Sequence, residues 1–303
     1  MSIQRDTIPF GPAKIVRGAL SLYSAKDVNV VVTTEFADVN PDQYGQGTKT
    51  IVDQIIEVEF PPQALWANLA NCWVDADINP AINSRIVTSA ATPTVLHGED
   101  GALLTIFASG IIGLPGIGIG VDKGEFDAMK IGGVCTNGKA LGSASSLYTY
   151  AATGGVYGNP PSPDYLAAGA WGMAWGTSVL AGDLLAAVGI KPDFKTEAVK
   201  AGKRTLDWRR KGCQFGGEVT TDADLVALSG LHNDGATFQY GQRNSVAAHD
   251  LVFTAATGHT LTLVKAFLEK SPMKFASLEQ RQQGLSFKTS GLTGARVSWT
   301  TPA

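Results

Sequence analysis

The sequence predicts a mainly β protein: two tandem antiparallel β-sandwich or barrel domains, each with one short flanking α-helix. Three observations predict it. Apolar and polar residues alternate with period 2 in several stretches, the two halves of the 303-residue chain repeat one another, and 35 glycines accompany 44% hydrophobic and 17% charged residues. Such a composition is globular and turn-rich rather than disordered. The length is about twice the roughly 150-residue prior for one domain.

The strands come from the alternation. In VDQIIEVEF (52–60), Val52, Ile56, Val58 and Phe60 share one face while Asp53, Glu57 and Glu59 share the other, as a sheet with one wet face requires. LSFKTS (285–290) and ARVSWT (295–300) alternate in the same way. The short helices are predicted at QALWANLANCW (63–73) and TDADLVALSGL (221–231), the second opening with Thr221 and Asp224 at capping-box spacing.

The domain division follows from the repeat and the punctuation. GALLTIFASGIIGLP (101–115) lies over GHTLTLVKAFLEKSP (258–272) without a gap, matching Gly101 to Gly258 and Pro115 to Pro272. KTIVD (49–53) faces KRTLD (203–207), and DAMKIGG (127–133) faces LSFKTSG (285–291). In that alignment Asp53, Glu57 and Glu59 fall opposite Asp207, Lys211 and Cys213. Ser, Gly and Pro crowd residues 142–165, where Pro160 and Pro161 adjoin. The expected units are therefore a first domain over 1–150, a linker over 151–165 and a second domain over 166–303. NPDQYGQG (40–47) reads as a loop or hairpin tip, and 75–94 as a long excursion suited to binding or to an interface.

Several motifs imitate chemistry. GLPGIGIG (113–120) looks like a phosphate loop, but such a loop must open a helix so that backbone N–H groups meet the phosphate. The following VDKGEFDAMK has no apolar stripe at helical spacing, and the repeat copy SPMKFAS lacks the glycines. Ile117 and Ile119 alternating with Gly116, Gly118 and Gly120 predict a strand whose bare face lets another backbone or subunit approach. GVCTNGKA (133–140) has P-loop spacing at Gly133, Gly138 and Lys139, yet Ala140 stands where a magnesium-binding hydroxyl is required. The four histidines, His97, His232, His249 and His259, show no ligand pairing, and His249-Asp250 has no nucleophile to serve. Cys72, Cys135 and Cys213 form no Cys-x-x-Cys pair, which argues against a disulfide framework or a thiolate metal site. Neither an enzyme, a cofactor nor a metal is expected.

Charge is divided. The first 150 residues hold 9 Lys and Arg against 15 Asp and Glu, and the remainder 15 against 12, within a net charge of −3. Opposite halves suit subunit–subunit attraction. DWRRKG (207–212) places Arg209, Arg210 and Lys211 on alternating sides of a strand, where they suit ion pairing between subunits better than a nucleic-acid patch. No stretch offers 18 uninterrupted apolar residues and the first residues lack a signal-peptide pattern, so assembly in a cytoplasm without a membrane is expected.

Taken together, FGPAKIVRG near the start, the strand and helix ending in QALWANLANCW, the LHGEDG turn with its Gly-to-Pro strand, and the final LSFKTSG strand resemble the tail tube (major tail) proteins of tailed bacteriophages. The resemblance implies a structural virion protein of the tail. In that family, tube domains form six-membered rings whose inner strands join around a channel, and the rings stack into a tube that conducts double-stranded DNA at ejection without reading its sequence. A chain with two such domains implies three copies per pseudo-hexameric ring, with tape-measure, tail-terminator and distal-tail proteins as further partners. Acidic channels in the family make Asp53, Glu57, Glu59 and Asp207 the lumen-facing candidates. Subunit and ring-stacking candidates are Asn40, Asp42, Tyr44, Gly116, Gly118, Gly120, Arg209, Arg210 and Lys211. Two other readings stand beside it: a two-domain receptor- or carbohydrate-binding module using the loop aromatics Tyr44, Tyr148, Tyr150 and Tyr157, and another virion part of related fold, such as a distal-tail, hub or decoration protein.

Overall fold

Alternation along the chain becomes antiparallel ladders in the computed structural model, which describes residues 2–18, 20–38, 49–66, 68, 93–107, 111–113, 115–120, 124–134, 148–159, 166, 171–176, 178–180, 185–202, 204–221, 249–270, 283–289 and 297–300. The first half contributes β1 (Ser2–Pro9), β2 (Ala13–Arg17), β3 (Leu20–Tyr23), β4 (Asn29–Asp38), β5 (Lys49–Phe60) and β6 (Thr94–Gly98). It continues with β7 (Leu103–Ile106), β8 (Ile111–Gly113), β9 (Ile117–Gly120), β10 (Gly124–Phe126), β11 (Met129–Val134) and β12 (Tyr148–Ala151). The second half holds β13 (Trp171–Trp175), β14 (Ser178–Leu180), β15 (Leu185–Ala201), β16 (Arg204–Thr221), β17 (His249–Ala255), β18 (Thr260–Lys270), β19 (Gln283–Thr289) and β20 (Val297–Thr300). The protein is mainly β. Of the predicted helices, residues 63–65 are not helical and Thr221 is the last residue of β16; Trp66 and Asn68 have helical backbone, and the rest of 67–73, like 222–231, lies outside the described residues.

Two five-stranded sheets, β1-β4-β5-β11-β8 and β12-β7-β6-β2-β3, make up most of the first half. A ten-stranded sheet, β10-β9-β15-β16-β19-β18-β17-β13-β14 with β20 beside β18, holds the second. Alternate residues go inward: Ile56, Val58 and Phe60 of β5 are buried with Ile15, Leu96 and Ile106, and Phe215, Phe253 and Leu261 join them in one contiguous core. Each such side chain contributes about 1.5–3 kcal/mol through loss of apolar contact with water.

The halves repeat the same ladder residue by residue. Arg17 pairs with Leu20 and Ile15 with Leu22, as Trp175 pairs with Ser178 and Met173 with Leu180. Between the paired strands Gly18 and Gly176 have φ of +58° and +61°, a left-handed conformation that glycine adopts without a Cβ clash. The Gly98 N–H meets the Ala102 carbonyl (2.8 Å) and the Gly101 N–H the Gly98 carbonyl (3.0 Å); Ala255 and His259 (2.8 Å) and Gly258 and Ala255 (2.9 Å) repeat this turn. Gly101 and Gly258 share a φ of +86°. A register shift recurs too: Lys130 faces Gly113 and Ile131 faces Ile111, as Ser286 faces Lys270 and Phe287 faces Leu268.

Two differences separate the halves. Where the first half breaks its strand into β7 and β8, the second runs straight through as the 11-residue β18. At the outer edge of the long hairpin, β4 is paired by its own half's β1, whereas the same edge of β15 is paired by β9 of the first half. Ile8 faces Val30 in one case and Ile117 faces Ile190 in the other. The β9-β10 hairpin therefore belongs to residues 1–150 by sequence and to the second sheet by pairing.

Candidate functional site

The acidic residues read from β5 divide into two kinds. Glu57 and Glu59 are half-buried, and Glu59 lies 3.8 Å from Lys130 on the next strand. Asp53 does not present its carboxylate to water, contrary to the expectation for a lumen-facing group. It is 2% exposed and accepts the Thr205 N–H (3.1 Å) and hydroxyl (2.5 Å), with the Gln54 N–H on its other oxygen (3.0 Å). A charge taken from water must be compensated by such donors.

The ladder also corrects the alignment that set Asp53, Glu57 and Glu59 opposite Asp207, Lys211 and Cys213. Lys130 pairs with Glu59 as Ser286 pairs with Glu218, and Val31 pairs with Glu57 as Lys191 pairs with Gly216. Glu218, an exposed carboxylate, is thus the counterpart of Glu59. The same pairing carried along β5 and β16 sets Asp53, opposite Glu35, level with Gly212, opposite Lys195, so the likeness of KTIVD to KRTLD is not followed by the strand register. Lys191 and Lys288 flank Glu218 on its face, so this face is not uniformly acidic.

The glycine stretch is a strand. Ile117 is buried, Gly118 faces Gly189 and Gly120 faces Ala187, so the backbone beside it is the second half's own β15. At Gly116 the Ile190 carbonyl would lie 3.2 Å from an added Cβ, while the Gly118 face is open. Asp207, Arg209, Arg210 and Lys211 sit on β16, with Arg209 opposite Glu197 and Arg210 opposite Thr196; their side chains lie outside the described residues, as do Asn40, Asp42 and Tyr44 entirely. Asp250 has a structural role: its carboxylate accepts the N–H of Lys265 (3.0 Å), whose φ is +53° beside a register shift. Among the described residues no group of three His, Cys, Asp or Glu gathers as metal ligands, and no helix is long and apolar enough to cross a membrane.

Sequence reasoning missed the contact that joins the halves. Trp66, just after β5, stacks on His259 at 4.5 Å with 7° between the rings and meets Trp171 at 5.4 Å. The neighbouring Ala64 carbonyl accepts the Leu166 N–H at 2.8 Å. Trp66, Leu166, Trp171 and His259 are each at most 4% exposed. Trp66 is thus seated on the second half, and Leu166 at the start of that half is tied to the residue beside it. An indole inside a short helical pattern reads as ordinary core, so only its long-range partners reveal the role.

On the first half, the corresponding place is covered by the chain itself and carries no aromatic pair, since Ala13 and Ala102 are both buried. The register equates Trp171, opposite Ala255, with Ala13, opposite Gly98; the turn equates His259 with Ala102. Beside Ala102 a cleft of about 780 Å³ opens between Phe10–Pro12, Glu99, Asp100 and the pair Tyr148 and Tyr150. Tyr150 is 61% exposed. Beside the cleft the linker is fastened: the Gly155 N–H meets the Gly101 carbonyl (2.8 Å), and the Val156 N–H meets His97 Nδ1 (3.0 Å). Burial, and then Lys14 across the ladder, hold the His97 pKa below its ordinary value, which keeps Nδ1 an acceptor. Tyr157 packs edge-on to Tyr23 at 5.3 Å, and the Tyr23 hydroxyl donates toward the Asn159 carbonyl (2.9 Å). Burial, then Glu99 and Tyr23, raise the Tyr157 pKa.

No protein-family model matches the chain, and no curated protein matches it in sequence.

Proposed function

We propose that the protein is a structural subunit that assembles head to tail into rings, three two-domain chains to a pseudo-hexameric ring, which stack as the tail tube of a bacteriophage virion and conduct DNA. The observation that carries this reading is the relation between the halves. One half offers β9 and Trp66, and the other receives them on the β15 edge and on His259. Such a contact joins unlike surfaces of two similar units. Repeated between chains it generates a closed ring when the rotation closes, or a filament when it does not. Pairing at sheet edges also removes the exposed ladders that otherwise promote aggregation. Tape-measure, tail-terminator and distal-tail proteins would then meet the ends of the stack.

Electron microscopy of negatively stained purified protein tests the proposal: rings or tubes with a central channel and a regular axial repeat are expected. Monodisperse monomers persisting at high concentration would overturn it. The cleft with Tyr148 and Tyr150 favours the second reading, a carbohydrate-binding module, because aromatic rings beside an apolar hollow suit the apolar face of a sugar. That reading expects saturable, Tyr150-dependent glycan binding by the monomer.

A further inference from the structure

We infer that the cleft between Phe10–Pro12, Glu99, Asp100 and Tyr148/Tyr150 takes a saccharide that is uncharged or carries an amino group, and that it rejects acidic sugars. The inference rests on the carbohydrate reading of the cleft, is independent of ring assembly, and names the ligand class.

Aromatic rings supply the platform. Tyr148 and Tyr150 stand two positions apart on β12, opposite Ile106 and Leu104, so they share one face of the sheet. Phe10 and Tyr148 are partly buried against the core, whereas Tyr150 is 61% exposed. The second half offers an internal comparison. Trp299 on β20 lies opposite Leu261 as Tyr150 lies opposite Leu104, and its ring packs against the core. The ladder therefore does not require an uncovered ring at this position. An aromatic ring in water at the rim of a hollow gains from an apolar surface laid over it, and the C–H face of a pyranose is such a surface. The cleft volume of about 780 Å³ lies within the roughly 300–1,000 Å³ of small-molecule sites.

The polar lining selects among sugars. Among the described residues, the charged groups that line the cleft are the carboxylates of Glu99 and Asp100. Ionised carboxylates accept hydrogen bonds and donate none, so they suit hydroxyl or ammonium donors and repel a uronate. Both stand on a turn whose backbone is already fixed. The Glu99 N–H meets the Pro12 carbonyl (3.2 Å), which joins the two walls, and Asp100 Oδ1 accepts the Ala102 N–H (2.9 Å). The opposite wall is held by the Phe10 N–H on the Val28 carbonyl (2.9 Å) and the Val28 N–H on the Gly11 carbonyl (3.1 Å). A site ordered in advance loses less freedom when it binds.

Isothermal titration calorimetry of the full-length protein tests the inference at mildly acidic pH, where sugar amines are protonated. Cellobiose, maltose and N,N′-diacetylchitobiose serve as neutral probes, chitobiose as the amino probe and digalacturonate as the acidic one. At least one neutral disaccharide and chitobiose should bind, and digalacturonate should bind at least about tenfold more weakly than either. Added salt should weaken chitobiose and leave the neutral sugar unchanged. Glu99→Gln, checked for wild-type Tm, should narrow the gap between chitobiose and digalacturonate, and Tyr150→Ala should weaken every binding sugar at least about tenfold. Digalacturonate that binds as tightly as the neutral sugar, in a Tyr150-dependent way, would overturn the selectivity while leaving the cleft a sugar site. Binding of none of the probes, or binding indifferent to Tyr150→Ala, would overturn the carbohydrate reading as well.

Discussion

The carboxylate of Asp53 on β5 takes both the backbone N–H and the hydroxyl of Thr205 on β16, a bond between strands 152 positions apart and in different halves. Because Asp53 is 2% exposed, its removal leaves a buried N–H with no acceptor. Asp53→Ala should cost about 1–3 kcal/mol, and Asp53→Asn less because one amide oxygen still accepts. Chemical denaturation with urea measures both; equal costs would mean that Thr205 finds another partner.

Trp66 provides the second prediction. Truncating a buried indole to alanine typically costs about 3–5 kcal/mol. Its Nε1 is buried without a hydrogen-bond partner among the described residues, so Trp66→Phe sheds an unpaired donor and should cost at least about 2 kcal/mol less than Trp66→Ala. Thermal unfolding of the two variants decides, and similar losses would show that stacking on His259 contributes little.

Glycines on the two strands that flank β15 should respond in opposite ways. A Cβ at Gly217 would lie 2.0 Å from the Gly189 carbonyl oxygen, a backbone atom that cannot step aside, so Gly217→Ala should cost at least about 2 kcal/mol. At Gly118 nothing lies within 4 Å, and Gly118→Ala should leave stability unchanged or raise it by about 0.4–1 kcal/mol through the unfolded chain. Paired Tm measurements test the contrast; a destabilised Gly118→Ala would show that β9 lies closer to its neighbours than the ladder allows.

Acidification should loosen the linker at Val156. The folded-state pKa of His97 is lowered, so the unfolded chain binds the proton more readily, and stability falls as pH drops from the ordinary histidine value through the lowered one. Protonated Nδ1 cannot accept the Val156 N–H. Exchange of the Val156 amide, read by NMR and corrected for intrinsic rate, should accelerate across that window in wild type and lose the pH step in His97→Asn.

Much of the β architecture was legible locally. The alternation at 52–60 places Ile56, Val58 and Phe60 inward, and the gapless match of Gly101 with Gly258 finds two turns of identical φ, because a hairpin's geometry is encoded in adjacent residues. The partner of β9 was not legible, since pairing across the linker leaves no local signature. The expected correspondence of Asp53 with Asp207 failed because the likeness of KTIVD to KRTLD is local, whereas cross-strand pairing sets Asp53 level with Gly212. For the cleft, Tyr148 and Tyr150 read as loop aromatics, whereas the structure sets both on β12, paired with β7.

The borrowed edge strand has a genetic consequence. A gene cut within the linker would yield one product still carrying β9 and β10 and another with the β15 edge bare, so neither product keeps the sheet that the intact chain closes. Each half thus supplies what the other lacks, and division at the linker would leave the β15 edge without its partner.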